Sequence, residues 1–95
     1  MAQVSPATRT DVDHLLERAA SAWDGLLEVD REIDTWDWID QIVYLEEWQI
    51  QEDRLSRLAE HARAGDFDDE QARRYRALQQ LVAERRPILE RLLRS

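Results

Sequence analysis

Glycine and proline are scarce in this sequence, and their scarcity limits the folds open to it. The 95 residues include two glycines and two prolines, whereas folds built from many short strands need turn residues roughly every ten positions. Cysteine is absent, which excludes a disulfide scaffold, a thiolate zinc site and a cysteine nucleophile. With 43% apolar and 36% charged residues, the composition predicts a single all-α domain spanning residues 1–95.

The spacing of apolar residues predicts three long helices, at about residues 6–33, 36–64 and 68–94. In the first helix, apolar residues recur at alternating steps of three and four, which is typical of a helix with one buried stripe. Ser5 is the predicted N-cap and Pro6 the first helical residue, with Thr10 as an alternative cap. Gly25 lies within the stripe, and the sequence leaves open whether the helix is continuous there.

Local signals also mark the ends of the second and third helices. Gly65 is predicted to end the second helix in a left-handed conformation. Asp68 and Gln71 have the spacing of a capping box, which predicts the start of the third helix. Pro87 should kink that helix or restart it, because proline removes one backbone hydrogen bond. The short connection makes the second and third helices an antiparallel hairpin.

The second helix carries apolar residues on two nearly opposite faces. The face assigned to the core comprises Trp38, Ile42, Leu45, Trp48, Leu55, Leu58, Ala59 and Ala62. The other face comprises Trp36, Ile39, Val43 and Ile50. One small bundle cannot bury both, and burying each large apolar side chain is worth about 1.5–3 kcal/mol. We therefore predict a homodimer that buries the second face. The alternatives are burial by the chain's own first helix and a dedicated foreign partner.

Charge is distributed unevenly along the chain, whose formal net charge is −8. Residues 1–53 hold fourteen acids and three arginines, and residues 54–95 hold seven acids and ten arginines. So acidic a chain repels phosphates, and we expect neither nucleic-acid nor anionic-membrane binding. Acids near the start of the second helix should face arginines near the end of the third: Asp37, Asp40, Glu46 and Glu47 opposite Arg85, Arg86, Arg91 and Arg94.

One buried polar pair is also predicted between these helices. Glu52 and Arg85 fall on stripes that otherwise look buried, and a charge in a small core needs a partner. We predict that Glu52 pairs with Arg85, with Arg74 as an alternative, and that Arg85 can also lie over Trp48.

Chemical motifs are nearly absent, so we expect no enzymatic activity, no cofactor and no metal site within one chain. A phosphate-binding loop and a nucleophile elbow are both missing. The spacing of Asp11, His14 and Glu17 is a weak metal signal, and the Glu-x-x-His pairs of iron-storing four-helix proteins are missing. The N-terminus has no apolar leader, and no stretch approaches the roughly 18 apolar residues of a membrane span, so we expect a cytoplasmic protein.

These observations favour a homo-oligomeric protein–protein interaction or regulatory module. One alternative is an antitoxin-like or DNA-mimicking regulator that binds a basic protein through residues 24–53, which hold eleven acids and one arginine. The other is a helical oligomer that completes a metal site between chains from Asp11, His14 and Glu17.

Overall fold

The computed structural model describes residues 4–94, so residues 1–3 and 95 of the predicted domain lie outside it. The described chain forms α1 (Pro6–Asp24), α2 (Leu26–Glu32), a 3-10 turn (Ile33–Thr35), α3 (Trp38–Glu47), α4 (Gln49–Ala64) and α5 (Asp69–Arg94). The predicted first helix corresponds to α1 and α2, the second to α3 and α4, and the third to α5. The all-α prediction with three long helical segments is therefore confirmed.

The junctions inside the first two segments are nearly helical. Gly25 separates α1 from α2 with φ −67° and ψ −12°. Its N–H donates to the Ser21 carbonyl at 3.0 Å, and its carbonyl accepts from the Val29 N–H at 3.1 Å, so the hydrogen-bond ladder continues through the glycine. Trp48 separates α3 from α4 in the same way, with φ −61° and ψ −23°. Both helical segments therefore continue through these junctions with only a local change in backbone geometry.

The predicted helix ends are confirmed by their hydrogen bonds. The Ser5 hydroxyl accepts from the Thr8 N–H at 3.1 Å and caps α1. Gly65 has φ +74°, the left-handed region that favours glycine. Asp68 and Gln71 form the capping box of α5. The Gln71 N–H donates to Asp68 Oδ1 at 2.8 Å, and the Asp68 N–H donates to Gln71 Oε1 at 3.0 Å.

Pro87 neither ends nor restarts α5, which continues from Asp69 to Arg94 with the proline inside it. That outcome excludes the restart, one of the two predicted effects of Pro87, and leaves the other, a kink in a continuous helix, as a prediction. Proline removes a single donor from the ladder, while Leu89 and Leu92 beyond it are buried in the core. Their burial holds the last turns of α5 in place.

α1 lies at the centre of the molecule and packs against both α4 and α5, while α2 packs against α5. The buried apolar residues are Val12, Leu15, Leu16, Ala19, Trp23, Leu26, Ile33, Trp48, Leu58, Leu78, Leu89 and Leu92. The molecule is long and narrow, about 52 × 21 × 17 Å. Within residues 4–94, no helix combines the length and apolar character that a membrane span needs.

Candidate functional site

α3 contributes no buried residue, although six of its ten residues are apolar or aromatic. Five apolar side chains on α3 and the start of α4 face solvent, and we refer to them together as the apolar face. Their exposed fractions are 69% for Trp38, 56% for Ile39, 43% for Ile42, 44% for Val43 and 50% for Ile50. Exposed apolar residues this close together commonly mark an interaction surface.

The structure leaves three of the four predicted interface residues exposed: Ile39, Val43 and Ile50. Trp36 differs, because it is half-buried and packs against the core. It precedes α3 in extended backbone, with φ −82° and ψ 152°, and so does not follow the helical rotation of α3. Its ring packs against that of Tyr44 in a T-shaped arrangement, with ring centroids 5.6 Å apart. Trp36 is therefore an internal packing residue in the structure.

Trp38 and Ile42 were assigned to the core, and the structure instead exposes both. The buried side of this segment is centred near Trp48 and Leu58, which are its only buried residues. At about 100° per residue, Trp38 and Ile42 lie roughly 80° and 120° around the helix from Trp48. The predicted core stripe was too broad, and its N-terminal part belongs to the apolar face.

A row of aromatic rings fixes the inner side of α3. Tyr44 lies between Trp36 and Trp48, and its ring centroid is 5.9 Å from that of Trp48. Trp48 in turn meets the buried ring of Trp23 at 5.0 Å, edge to face. Burial raises the pKa of the Tyr44 phenol above its usual 10.0. Gln41 Nε2 also donates to the Trp36 carbonyl at 3.0 Å. α3 is thus anchored on one side.

The acids of α3 do not meet the arginines that the sequence suggested. Arg91 binds Asp30 of α2 at 2.7 Å, and Arg85 lies 3.8 Å from Asp24 of α1. Within residues 4–94, no ion pair involves the four acids predicted to face α5: Asp37, Asp40, Glu46 and Glu47. Because α1 and α2 occupy the space beside α5, they supply the partners of Arg85 and Arg91.

Glu52 pairs with Arg86, which corrects the predicted Glu52–Arg85 pair. Arg86 Nη1 lies 3.0 Å from Glu52 Oε1. The Arg86 guanidinium also lies over the Trp23 ring, 5.0 Å from its centroid, in the kind of contact that was expected between Arg85 and Trp48. Consecutive helix residues point about 100° apart, so Arg86 reaches both Glu52 and Trp23 while Arg85 lies near Asp24 at the end of α1.

Asp11 does not join His14 and Glu17, both of which are exposed. Instead, the Asp11 carboxylate contacts two groups of α4, Arg57 Nη2 at 3.2 Å and His61 Nε2 at 3.3 Å. In the part of the chain that the structure describes, no three His, Asp or Glu side chains are arranged to hold a metal ion. Asp11 thus serves as a link between α1 and α4.

Sequence reasoning missed the position of Glu46 within the apolar face. Glu46 is exposed, and it follows Val43 by three residues and Ile42 by four, and precedes Ile50 by four. Residues spaced in this way are neighbours on a helix surface. The spacing can be read from the sequence. Only the exposure of Ile42 in the structure shows that Glu46 lies beside the apolar face. The apolar face therefore has a carboxylate next to three of its members.

Comparison with known proteins adds no relative: no family model, no curated protein and no solved structure matches this chain.

Proposed function

We propose that this chain is a protein–protein interaction module that self-associates, with two copies meeting through their apolar faces. The proposal rests on one observation: five large apolar side chains are 43–69% exposed on one side of α3 and the start of α4. Burial of such side chains is a main driving force of protein association.

A second copy is the occupant that the face itself favours. In a two-fold dimer the same patch is present on both subunits, so an apolar face meets an apolar face without needing any other partner. Trp38, the most exposed member, is a residue type that often provides the central contact of an interface. A helix of about ten residues is only marginally stable in water by itself, so a second copy also supports the unpacked side of α3.

The expected dimer is weak. The apolar face comprises five side chains, whereas a standard interface takes about 20–30 residues and buries about 800 Å² on each partner. We therefore expect association that depends on concentration and exchanges readily, as in regulatory interactions.

Light scattering over a range of protein concentrations tests the proposal. The parent chain should rise in mass toward that of a dimer, while Ile39→Glu and Val43→Glu should stay monomeric, because each places a charge in the interface. Gln80→Glu is the control, since Gln80 is exposed on α5 and the substitution adds the same charge. A parent chain that stays monomeric at about pH 7 and at about pH 5, or two face variants that associate like the control at about pH 7, would contradict the proposal.

A second candidate function, binding to a basic protein, is favoured by the unpaired acids of α3 and of the residue just before it. Asp37, Asp40, Glu46 and Glu47 make that end of the molecule strongly negative, and such a surface attracts a positively charged partner. Poly-arginine is a suitable probe. Its binding should weaken steeply as salt is added, whereas association through the apolar face should not. Absence of poly-arginine binding even at low salt would remove this candidate.

A further inference from the structure

Glu46 lies next to three exposed members of the apolar face. On the helix surface it is flanked by Ile42, Val43 and Ile50, all of them exposed members of that face. Within residues 4–94 it forms no ion pair, and it is itself exposed. The monomer therefore leaves this carboxylate in water, where its charge is solvated.

The chain's own cations near Glu46 are already engaged. Glu46 shares a groove of about 270 Å³ with Glu52, Arg86 and Glu90. Arg86 binds Glu52 at 3.0 Å, and Glu90 lies 3.8 Å from Arg94. Two further residues near Glu46 are acidic, Glu47 of α3 and Asp53 of α4. Asp53 accepts a hydrogen bond from Gln49. The charged groups around Glu46 are thus mostly negative, and the positive ones have other partners.

Dimerisation changes the environment of Glu46 in two ways. The second copy removes water from the carboxylate, which disfavours its charged form. A two-fold axis that passes near residue 46 would also bring the two Glu46 side chains toward each other. Two carboxylates in one desolvated site oppose each other's ionisation. Both effects oppose a dimer in which Glu46 is ionised.

We propose that Glu46 gates the self-association of this chain, so that the dimer forms strongly only when this carboxyl group is protonated or its charge is removed. The inference rests on the proposed function, because it concerns the same face. The sign follows from linkage: the dimer holds the Glu46 proton more tightly than the monomer, so association takes up protons and strengthens as the pH falls.

Sedimentation equilibrium of the parent chain and Glu46→Gln, at about pH 7 and about pH 5, tests the gate. The dimer dissociation constant of the parent should fall roughly tenfold or more on acidification, which corresponds to about 1.4 kcal/mol. Glu46→Gln should associate tightly at both pH values, because it keeps the shape of the side chain and removes the charge. Glu17→Gln is the matched control, since Glu17 is exposed on α1, and it should behave like the parent.

A double variant separates association through the apolar face from general precipitation in acid. Glu46→Gln combined with Val43→Lys should be monomeric at both pH values, because the lysine stays charged at about pH 7 and at about pH 5. If the double variant associates as strongly as Glu46→Gln, the gate is not located on this face and the inference is overturned. If the parent dimerises equally at both pH values and Glu46→Gln changes nothing, the gate fails while self-association stands. If the parent and Glu46→Gln are both monomeric throughout, the proposed function fails and the gate fails with it.

Discussion

Gln71 shows how one side chain can serve both a helix start and the contact between two helices. Its Oε1 accepts from the Asp68 N–H, as a capping-box residue should. Its Nε2 donates to Asp13 Oδ1 at 2.8 Å and to the Arg9 carbonyl at 3.2 Å, both on α1. The residue is 2% exposed. Glutamate would serve the cap equally well, so the contact with α1 is what requires the amide.

Gln71→Glu should therefore destabilise the protein even though it preserves the capping box. The new carboxylate cannot donate to α1, and it would face the Asp13 carboxylate and the Arg9 carbonyl oxygen. We expect the free energy of unfolding to fall by about 1–3 kcal/mol, the cost of unsatisfied buried polar groups. Urea denaturation measures the change. Gln80→Glu, on the exposed side of the same helix, should change it little, and equal losses in the two variants would contradict this role of Gln71.

Tyr44 gives the protein a stability that depends on pH in the alkaline range. Burial raises the pKa of its phenol in the folded state above the usual 10.0. Its stabilising effect is thus complete below about pH 10 and is lost as the pH rises through the folded-state pKa. Tyr44→Phe keeps the aromatic packing and removes the ionisable group, so its urea midpoint should fall less between about pH 9 and pH 11. A parallel fall in both proteins would contradict the prediction.

At the scale of the elements, the predictable features are those set by residues close in sequence. Ser5, Gly65 and the pair Asp68 and Gln71 mark helix ends through contacts within a few residues, and the structure confirms all of them. The partner of Glu52 depends instead on how α4 and α5 are rotated around α1, and a change of one residue moves the side chain about 100°. The sequence therefore predicts that Glu52 needs an arginine, but it does not distinguish Arg86 from Arg85.

Substitution by alanine should have opposite effects at Pro87 and Gly65. Pro87 interrupts the hydrogen bonds of a continuous α5, so Pro87→Ala should raise the free energy of unfolding, by up to about 3 kcal/mol.

Gly65 has φ +74°, where a Cβ is unfavourable, so Gly65→Ala should lower the free energy of unfolding by about 1–2 kcal/mol. Thermal and urea denaturation measure both. Gly65→Asn should cost less than Gly65→Ala, and a loss of stability in Pro87→Ala would show that the proline fits α5 better than alanine.

At the scale of the whole molecule, α3 lies beyond the end of the hydrophobic core. α1 packs between α4 and α5, and the last buried side chain that the second segment contributes toward α3 is Trp48. The sequence predicts that the second helical segment has more apolar surface than one bundle can bury. It did not foresee that Trp36 turns inward and Trp38 outward, because that depends on the extended backbone just before α3. The exposed face is thus a consequence of where the helix begins.

Hydrogen exchange should show α3 as the least protected helix of the monomer. Amides open locally at a cost that follows their buried contacts, and α3 has no buried residue whereas α1 has five. In dilute solution the amides of residues 42–45 should therefore exchange faster than those of residues 12–19. At high concentration a second copy covers the outer side of α3, so exchange there should slow in the parent chain, and more in Glu46→Gln, while α1 stays unchanged. Val43→Glu should show no slowing, and concentration-dependent protection of α3 in that variant would place the contact on another surface.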